Sequence, residues 1–212
     1  MNIKLKKKKY WNKFYSKKKA PLKSSSFAVF CLKFIKNKSN TIIDIGCGNG
    51  RDTVFFLKRG YECYGIDQSK SIISKNKKLY PKFKKYFLCK DLSKINFNKV
   101  TNKSFSVYSR FSLHAINNAE EKAFLNNLIK SNNLKFLMIE TRTIYDDLFG
   151  KGTKISKNEY LTDHYRRFID PNKIKGKLKK KFRLIYSFLG KNVAKFKKEN
   201  PKVLRIILTN ER

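Results

Sequence analysis

The stretch Thr41-Ile-Ile-Asp-Ile-Gly-Cys-Gly-Asn-Gly50 limits what this chain can fold into more than any other. Aliphatic and β-branched residues run directly into three glycines at every second position. That pattern reads as a buried strand breaking into a tight turn, with a helix to follow. Glycine is needed where the backbone takes positive φ or presses against a ligand. An acid, Asp44, stands near the end of the strand. A second strand-like run, Tyr61-Glu-Cys-Tyr-Gly-Ile-Asp67, also ends in an acid.

Gly48 and Asp67 stand 19 residues apart, close to the ~20 at which such an acid meets a ribose in nucleotide-binding βαβ units. A plain structural strand–turn–helix would show the same glycines. A nicotinamide or flavin site would need a glycine or alanine where Arg51 stands. The spacing present is G-x-G-x-G with an acid two residues upstream. Asp44-Ile-Gly-Cys-Gly-Asn-Gly50 resembles motif I of the class I S-adenosylmethionine-dependent methyltransferases. The resemblance is strongest from Asp44 to Asp67 and continues loosely from about Trp11 to the C-terminus.

Strand and helix patterns alternate along the chain. Strands are expected at Thr41–Ile45, Tyr61–Ile66, Tyr86–Lys90, Phe105–Tyr108, Leu134–Glu140, Phe182–Phe188 and Lys202–Thr209. Helices are expected at residues 10–15, 27–36, 51–59, 69–79 and 119–131, with Ser24 to Ser26, Gly60 and Asp170-Pro171 as boundary signals. This order gives an α/β fold with a parallel sheet covered on both faces. The last two strands lack a long connecting helix and should pair antiparallel. The resemblance implies a Rossmann-like, seven-stranded, mostly parallel sheet with the last strand antiparallel, inserted between strands five and six. The whole chain, 1–212, reads as one domain. Residues 1–24 form a basic and aromatic N-terminal flap in which Trp11, Phe14 and Tyr15 either cover the cofactor or pack on the sheet. Residues 141–169 show little regular pattern, and a loop of that length is expected to contact substrate.

In open α/β sheets ligands sit beyond the carboxyl ends of the strands. By resemblance, Gly46 and Gly48 approach the methionine moiety of S-adenosylmethionine, with Asp44 steering its ammonium. Asp67 is expected on the ribose hydroxyls, with Gln68 beside it. Asp91 and Leu92 match the adenine position, although Asp91 also reads as a turn-capping aspartate. Arg110 ends strand four on the same rim. His114 and His164, the two histidines of the chain, are the candidate catalytic bases. Arginine is sparse in this lysine-dominated sequence, so Arg142, Arg166 and Arg167, with Tyr165, are candidate contacts to an anionic small acceptor. Surface salt bridging is the alternative for these arginines. The expected reaction is O- or N-methylation of a small acceptor, with a sugar or surface-polysaccharide precursor as one class. Tellurite-resistance and thiopurine-type enzymes share this general plan.

The formal net charge is +36, which attracts anions at long range and invites a nucleic-acid reading. Lys, Asn, Ile, Phe and Tyr are enriched together, however, and A/T-rich codon usage accounts for all five at once. No Pro-Pro pair is present for a base-gripping motif, and none of the four cysteines stands beside a proline. An RNA methyltransferase and a catalytically inactive cofactor-fold protein stay as alternatives. Cys31, Cys47, Cys63 and Cys89 form no C-x-x-C pair, so no metal site is indicated, and they are expected to behave as buried apolar residues. No apolar stretch is long enough to span a bilayer and no apolar signal core follows the basic N-terminus, which reads as a cytoplasmic protein.

Overall fold

The computed structural model describes residues 10–15 and 21–210; the parts of the expected flap at 1–9 and 16–20 lie outside them. Chain order is α1 (residues 10–15), α2 (Ser26–Cys31), β1 (Thr41–Ile45), α3 (Arg51–Leu57), β2 (Cys63–Asp67), α4 (Lys70–Leu79), β3 (Phe87–Cys89), β4 (Phe105–Arg110), α5 (Asn118–Ile129) and β5 (Leu134–Arg142). It continues with β6 (Thr153–Ser156), β7 (Glu159–Leu161), β8 (Tyr165–Arg167), α6 (Pro171–Lys179), β9 (Arg183–Gly190) and β10 (Val203–Thr209). The main sheet has seven strands in the order β3-β2-β1-β4-β5-β10-β9. Strands β1 to β5 pair in parallel, and β10 runs antiparallel between β5 and β9.

Alternation along the strands decides what each face buries. Ile43, Ile45, Val107, Leu137, Ile139, Leu204, Ile206 and Leu208 join Phe124 and Leu128 of α5 and Ile174 and Leu178 of α6. Their neighbours Ile42, Tyr108, Met138 and Ile207 face the other way, onto Phe27 and Cys31 of α2 and Phe55 and Phe56 of α3. Two boundary signals act as expected: Ser25 caps α2, and Asp170 caps α6 ahead of Pro171. Helix α5 adds a capping box of Asn117 and Glu120.

Two expectations need correction. Segment 141–169 is not structureless: β5 extends to Arg142, and β6, β7 and β8 form a separate three-stranded antiparallel sheet. Strands of three or four residues are too short for period-two patterning to register in sequence. Cys89 is exposed, unlike Cys31, Cys47 and Cys63, because it ends β3 at the edge of the sheet. Among the described residues, no helix is long and apolar enough to cross a membrane.

One charged ladder crosses the sheet interior. Glu140 pairs in register with Arg110 of β4 and Arg205 of β10. Its fully buried carboxylate lies 2.7 Å from Arg110 Nε and accepts from Arg205 Nε at 2.6 Å. Removing one partner of a buried ion cluster leaves uncompensated charge. Glu140→Ala should therefore lower the unfolding free energy by ~3–5 kcal/mol in urea titrations; a loss under about 1 kcal/mol would mean that water resolvates both guanidiniums.

Candidate functional site

The carboxyl ends of β1, β2, β4 and β5 open into one cavity of about 610 Å³, within the ~300–1,000 Å³ range of small-molecule sites. It lies where strand order reverses on either side of β1, the switch point at which α/β sheets bind ligands. Gly46 and Gly48 take φ of 70° and 53° in the turn after β1. A Cβ at Gly48 would stand 2.2 Å from Tyr15 Oη, and one at Gly46 would stand 2.5 Å from Ser112 Oγ. The glycines therefore serve both backbone conformation and close approach.

Asp44 and Asp67 both line this end of the cavity. Asp67 Oδ2 accepts from Gly48 N–H at 3.2 Å, and Oδ1 accepts from Ser69 N–H at 2.9 Å. Burial raises the Asp67 pKa, and those amide bonds only partly offset it. Asp44 is buried and accepts from Thr53 Oγ1 at 2.6 Å. Burial, with the Asp52 charge nearby, pushes its pKa up to about 8. Gln68, Leu92 and Arg110 also line the wall, Arg110 already being held by Glu140.

Asp91 departs from the expectation. Its carboxylate accepts from Ser93 N–H and Ser93 Oγ, capping a short 3-10 turn, while its neighbours Lys90 and Leu92 line the cavity. The turn-capping alternative describes this geometry.

Helix α1 roofs the cavity. Asn12 Oδ1 accepts from Ser69 Oγ and Ser71 Oγ at the start of α4, and Lys75 Nζ donates to Tyr15 O. At the far end the Tyr10 ring stacks on His164, centroids 3.9 Å apart, and Trp11 lies 5.4 Å from His164 and 6.2 Å from His114. Both histidines thus face one cavity under one aromatic cover. Burial, reinforced by Arg142, holds the His114 pKa well below its ordinary value. Burial, reinforced by Arg166 and opposed by Asp163, brings His164 down to about 4. Each imidazole is neutral at pH 7 and able to accept a proton. Asp163 Oδ2 lies 3.0 Å from His164 Nδ1.

Of the four expected substrate contacts, Arg142 and Arg166 reach the cavity. Arg142 donates to Asp146 and Glu199, and Arg166 donates to Thr162 and Asp163. Tyr165 and Arg167 do not reach it. Successive strand residues point to opposite faces, so Arg166 turns inward while its neighbours turn outward. Tyr165 Oη donates to Ile116 O, and Arg167 donates to Leu113 O, Ile116 O, Asn118 and Glu121, clamping β8 to the start of α5.

Several cavity residues escaped sequence reasoning. Asp52 accepts from Ser25 N–H, Ser25 Oγ and Tyr108 Oη, all at 2.7–2.8 Å. Asn49 and Arg51 donate to Pro21 O and Lys23 O. These bonds strap segment 21–25 across the glycine turn. The loop between β9 and β10 supplies a further wall, from Asn192 to Phe196, Glu199 and Pro201. An acid in the first turn of α3 is the single local signal for Asp52; nothing local marks the others.

Residues 42–131 match the family model described as a methyltransferase domain. No curated protein sequence matches the chain. Among solved structures, an S-adenosylmethionine-dependent methyltransferase from Clostridium acetobutylicum is 14% identical, with 87% of this chain and 90% of that one covered at a TM-score of 0.65. A glycopeptide N-methyltransferase, MtfA, complexed with S-adenosyl-L-methionine is 15% identical, covering 88% and 94% at 0.64. A methyltransferase from Methanosarcina mazei is 15% identical, covering 82% and 93% at 0.69. Likeness at this identity shows the fold.

The raised Asp44 pKa has a measurable consequence. A ligand ammonium beside Asp44 favours the carboxylate, so binding releases a proton wherever the empty site holds the acid form. Affinity for S-adenosylmethionine should rise with pH between 6 and 7.5, by up to about tenfold per unit. Titration calorimetry of Asp44→Asn should show no such slope, and an equal slope in both proteins would remove Asp44 from the site.

Proposed function

We propose that this chain, which carries the methyltransferase-domain match at residues 42–131 and the fold of such enzymes, is a class I S-adenosylmethionine-dependent methyltransferase and methylates an oxygen or nitrogen of a small, anionic acceptor. The observation that carries this reading is the single cavity joining two ends of different chemistry. One end has carboxylates and a glycine turn; the other has two neutral imidazoles and two guanidiniums.

The residues present fit the cofactor. Asp67 Oδ2 accepts from Gly48 N–H and Oδ1 from Ser69 N–H, with the Gln68 amide also turned toward the carboxylate, and lone pairs remain for ribose hydroxyls. Asp44 and Asp67 complement a positive ligand, and the aromatic faces of Trp11 and Tyr15 in the roof suit a cation. When bound, S-adenosylmethionine supplies an electrophilic methyl carbon, the chemistry of the cofactor itself. The chain supplies position, dehydration and a proton acceptor. Helix α1 excludes water. With Nδ1 of His164 against Asp163, Nε2 is the nitrogen left to take the acceptor's proton, and the carboxylate stabilises the resulting imidazolium. His114 forms the second imidazole of that wall. Arg142 and Arg166 are the groups on which a phosphate or carboxylate of the acceptor would rest. Phosphorylated sugars, including surface-polysaccharide precursors, combine such an anion with nucleophilic hydroxyls.

The +36 charge favours an RNA substrate as the second reading. The roof of Tyr10 and Trp11 over both histidines supports a small acceptor over a polymer. Turnover screened against phosphorylated sugars, sugar nucleotides, small acids and RNA separates the two. The proposal expects turnover in the small anionic classes, and methylation of RNA alone would overturn it. His164→Asn should lower kcat by roughly 10²–10⁴-fold, with cofactor affinity unchanged. Because His164 stays neutral down to about pH 4, the wild-type kcat should hold as pH falls through 6.5. An acid limb at 6.5 that persists in His164→Asn would assign the proton transfer elsewhere.

A further inference from the structure

Glu199 stands in the loop joining β9 and β10, in a tight turn closed by two backbone hydrogen bonds of 3.0 Å with Phe196. The left-handed φ of 52° at Lys197 makes that turn. The Glu199 carboxylate accepts from Arg142 Nη2, and its other oxygen lies 3.9 Å from Arg166 Nη2. It therefore sits between the two guanidiniums of the acceptor end. The three side chains differ in how they are held. Arg142 and Arg166 are 9% and 6% exposed, whereas Glu199 is 46% exposed. Asp146 already holds Arg142 through a bidentate contact at 3.2 Å, and Asp163 already holds Arg166. Arg166 Nε is buried with no hydrogen-bond partner among the described residues.

Two cations thus face three carboxylates at this point: Arg142 and Arg166 against Asp146, Asp163 and Glu199. An added anion would meet net negative charge while Glu199 stays. Without Glu199 it would restore the same balance and find the spare donors of Arg166. We propose that Glu199 is a displaceable internal counter-ion, which holds the Arg142–Arg166 pair in the empty enzyme and yields it to the acceptor's anionic group. Glu199 is then a specificity-determining residue: an acceptor gains the arginine pair only if its own anion outcompetes a tethered carboxylate. The inference rests on the methyl-transfer reading for the identity of this end of the cavity as the acceptor end.

Inorganic phosphate is the probe, titrated into the full chain by calorimetry without any methyl donor. Glu199→Gln should bind phosphate at least about tenfold tighter than wild type. Glu199→Asp, with a shorter reach, should fall between them. Adding Arg166→Gln to Glu199→Gln should abolish the gain. Glu62→Gln, which removes an equal charge from a carboxylate paired with Lys103, should give no gain. Equal phosphate affinity in wild type, Glu199→Gln and Glu199→Asp would overturn the proposal. So would a gain that survives Arg166→Gln or recurs in Glu62→Gln, since the phosphate would then be reporting general surface charge. S-adenosylmethionine titrated into the same proteins tests the enzyme reading separately. Loss of that binding would refute the methyl-transfer reading without altering the phosphate comparison.

Discussion

Asp67 is pinned by two backbone amides that belong to different loops. Gly48 N–H comes from the turn after β1, and Ser69 N–H comes from the N-terminus of α4. This pairing fixes the ends of two adjacent parallel strands against each other. It holds a buried carboxylate at the cavity wall with acceptor capacity to spare. The surrounding structure follows from that constraint. The glycine turn must curl back with positive φ to bring Gly48 N–H within reach. Asn76 Nδ2 donates to Gly48 O at 2.7 Å and fixes the peptide from its other side. Helix α1 then closes over the same turn through Tyr15.

Much of this was legible in the sequence because the information is local. Three isoleucines in a five-residue strand, three glycines and two acids at one spacing specify the β1–α3–β2 unit without reference to the rest of the chain. The cap Asp170-Pro171 acts within one turn and is equally plain. The failures share a different cause. Asp52 with Tyr108 spans 56 residues and Arg142 with Glu199 spans 57, and no pattern in either segment announces the partner. Tyr165 and Arg167 were grouped with Arg166 because a three-residue strand is too short to show alternation, yet alternation alone sends them to the opposite face. Asp91 follows a strand just as Asp67 does. Its Oδ1 accepts from both Ser93 N–H and Ser93 Oγ and caps a short turn beside the cavity.

The charge of the chain divides into two populations. The lysines among the described residues are spread over the surface and give a long-range field for anions. The buried arginines are matched by carboxylates: Arg110 and Arg205 share Glu140, Arg142 pairs with Asp146 and Glu199, and Arg166 pairs with Asp163. On the proposed reading, specificity at the acceptor end depends on exchange between counter-ions and not on total charge. Burial keeps both imidazoles neutral at pH 7.

On the proposed reading, the Asp67 end of the cavity holds the nucleoside of S-adenosylmethionine. Calorimetric titration with S-adenosylhomocysteine, which lacks the sulfonium charge, isolates that end most directly. Wild type should bind one molecule per chain. Asp67→Ala should weaken binding by roughly 2–3 kcal/mol, the scale of charge-assisted hydrogen bonds to two hydroxyls. Absence of heat in the wild type, or equal affinity in Asp67→Ala, would contradict the account.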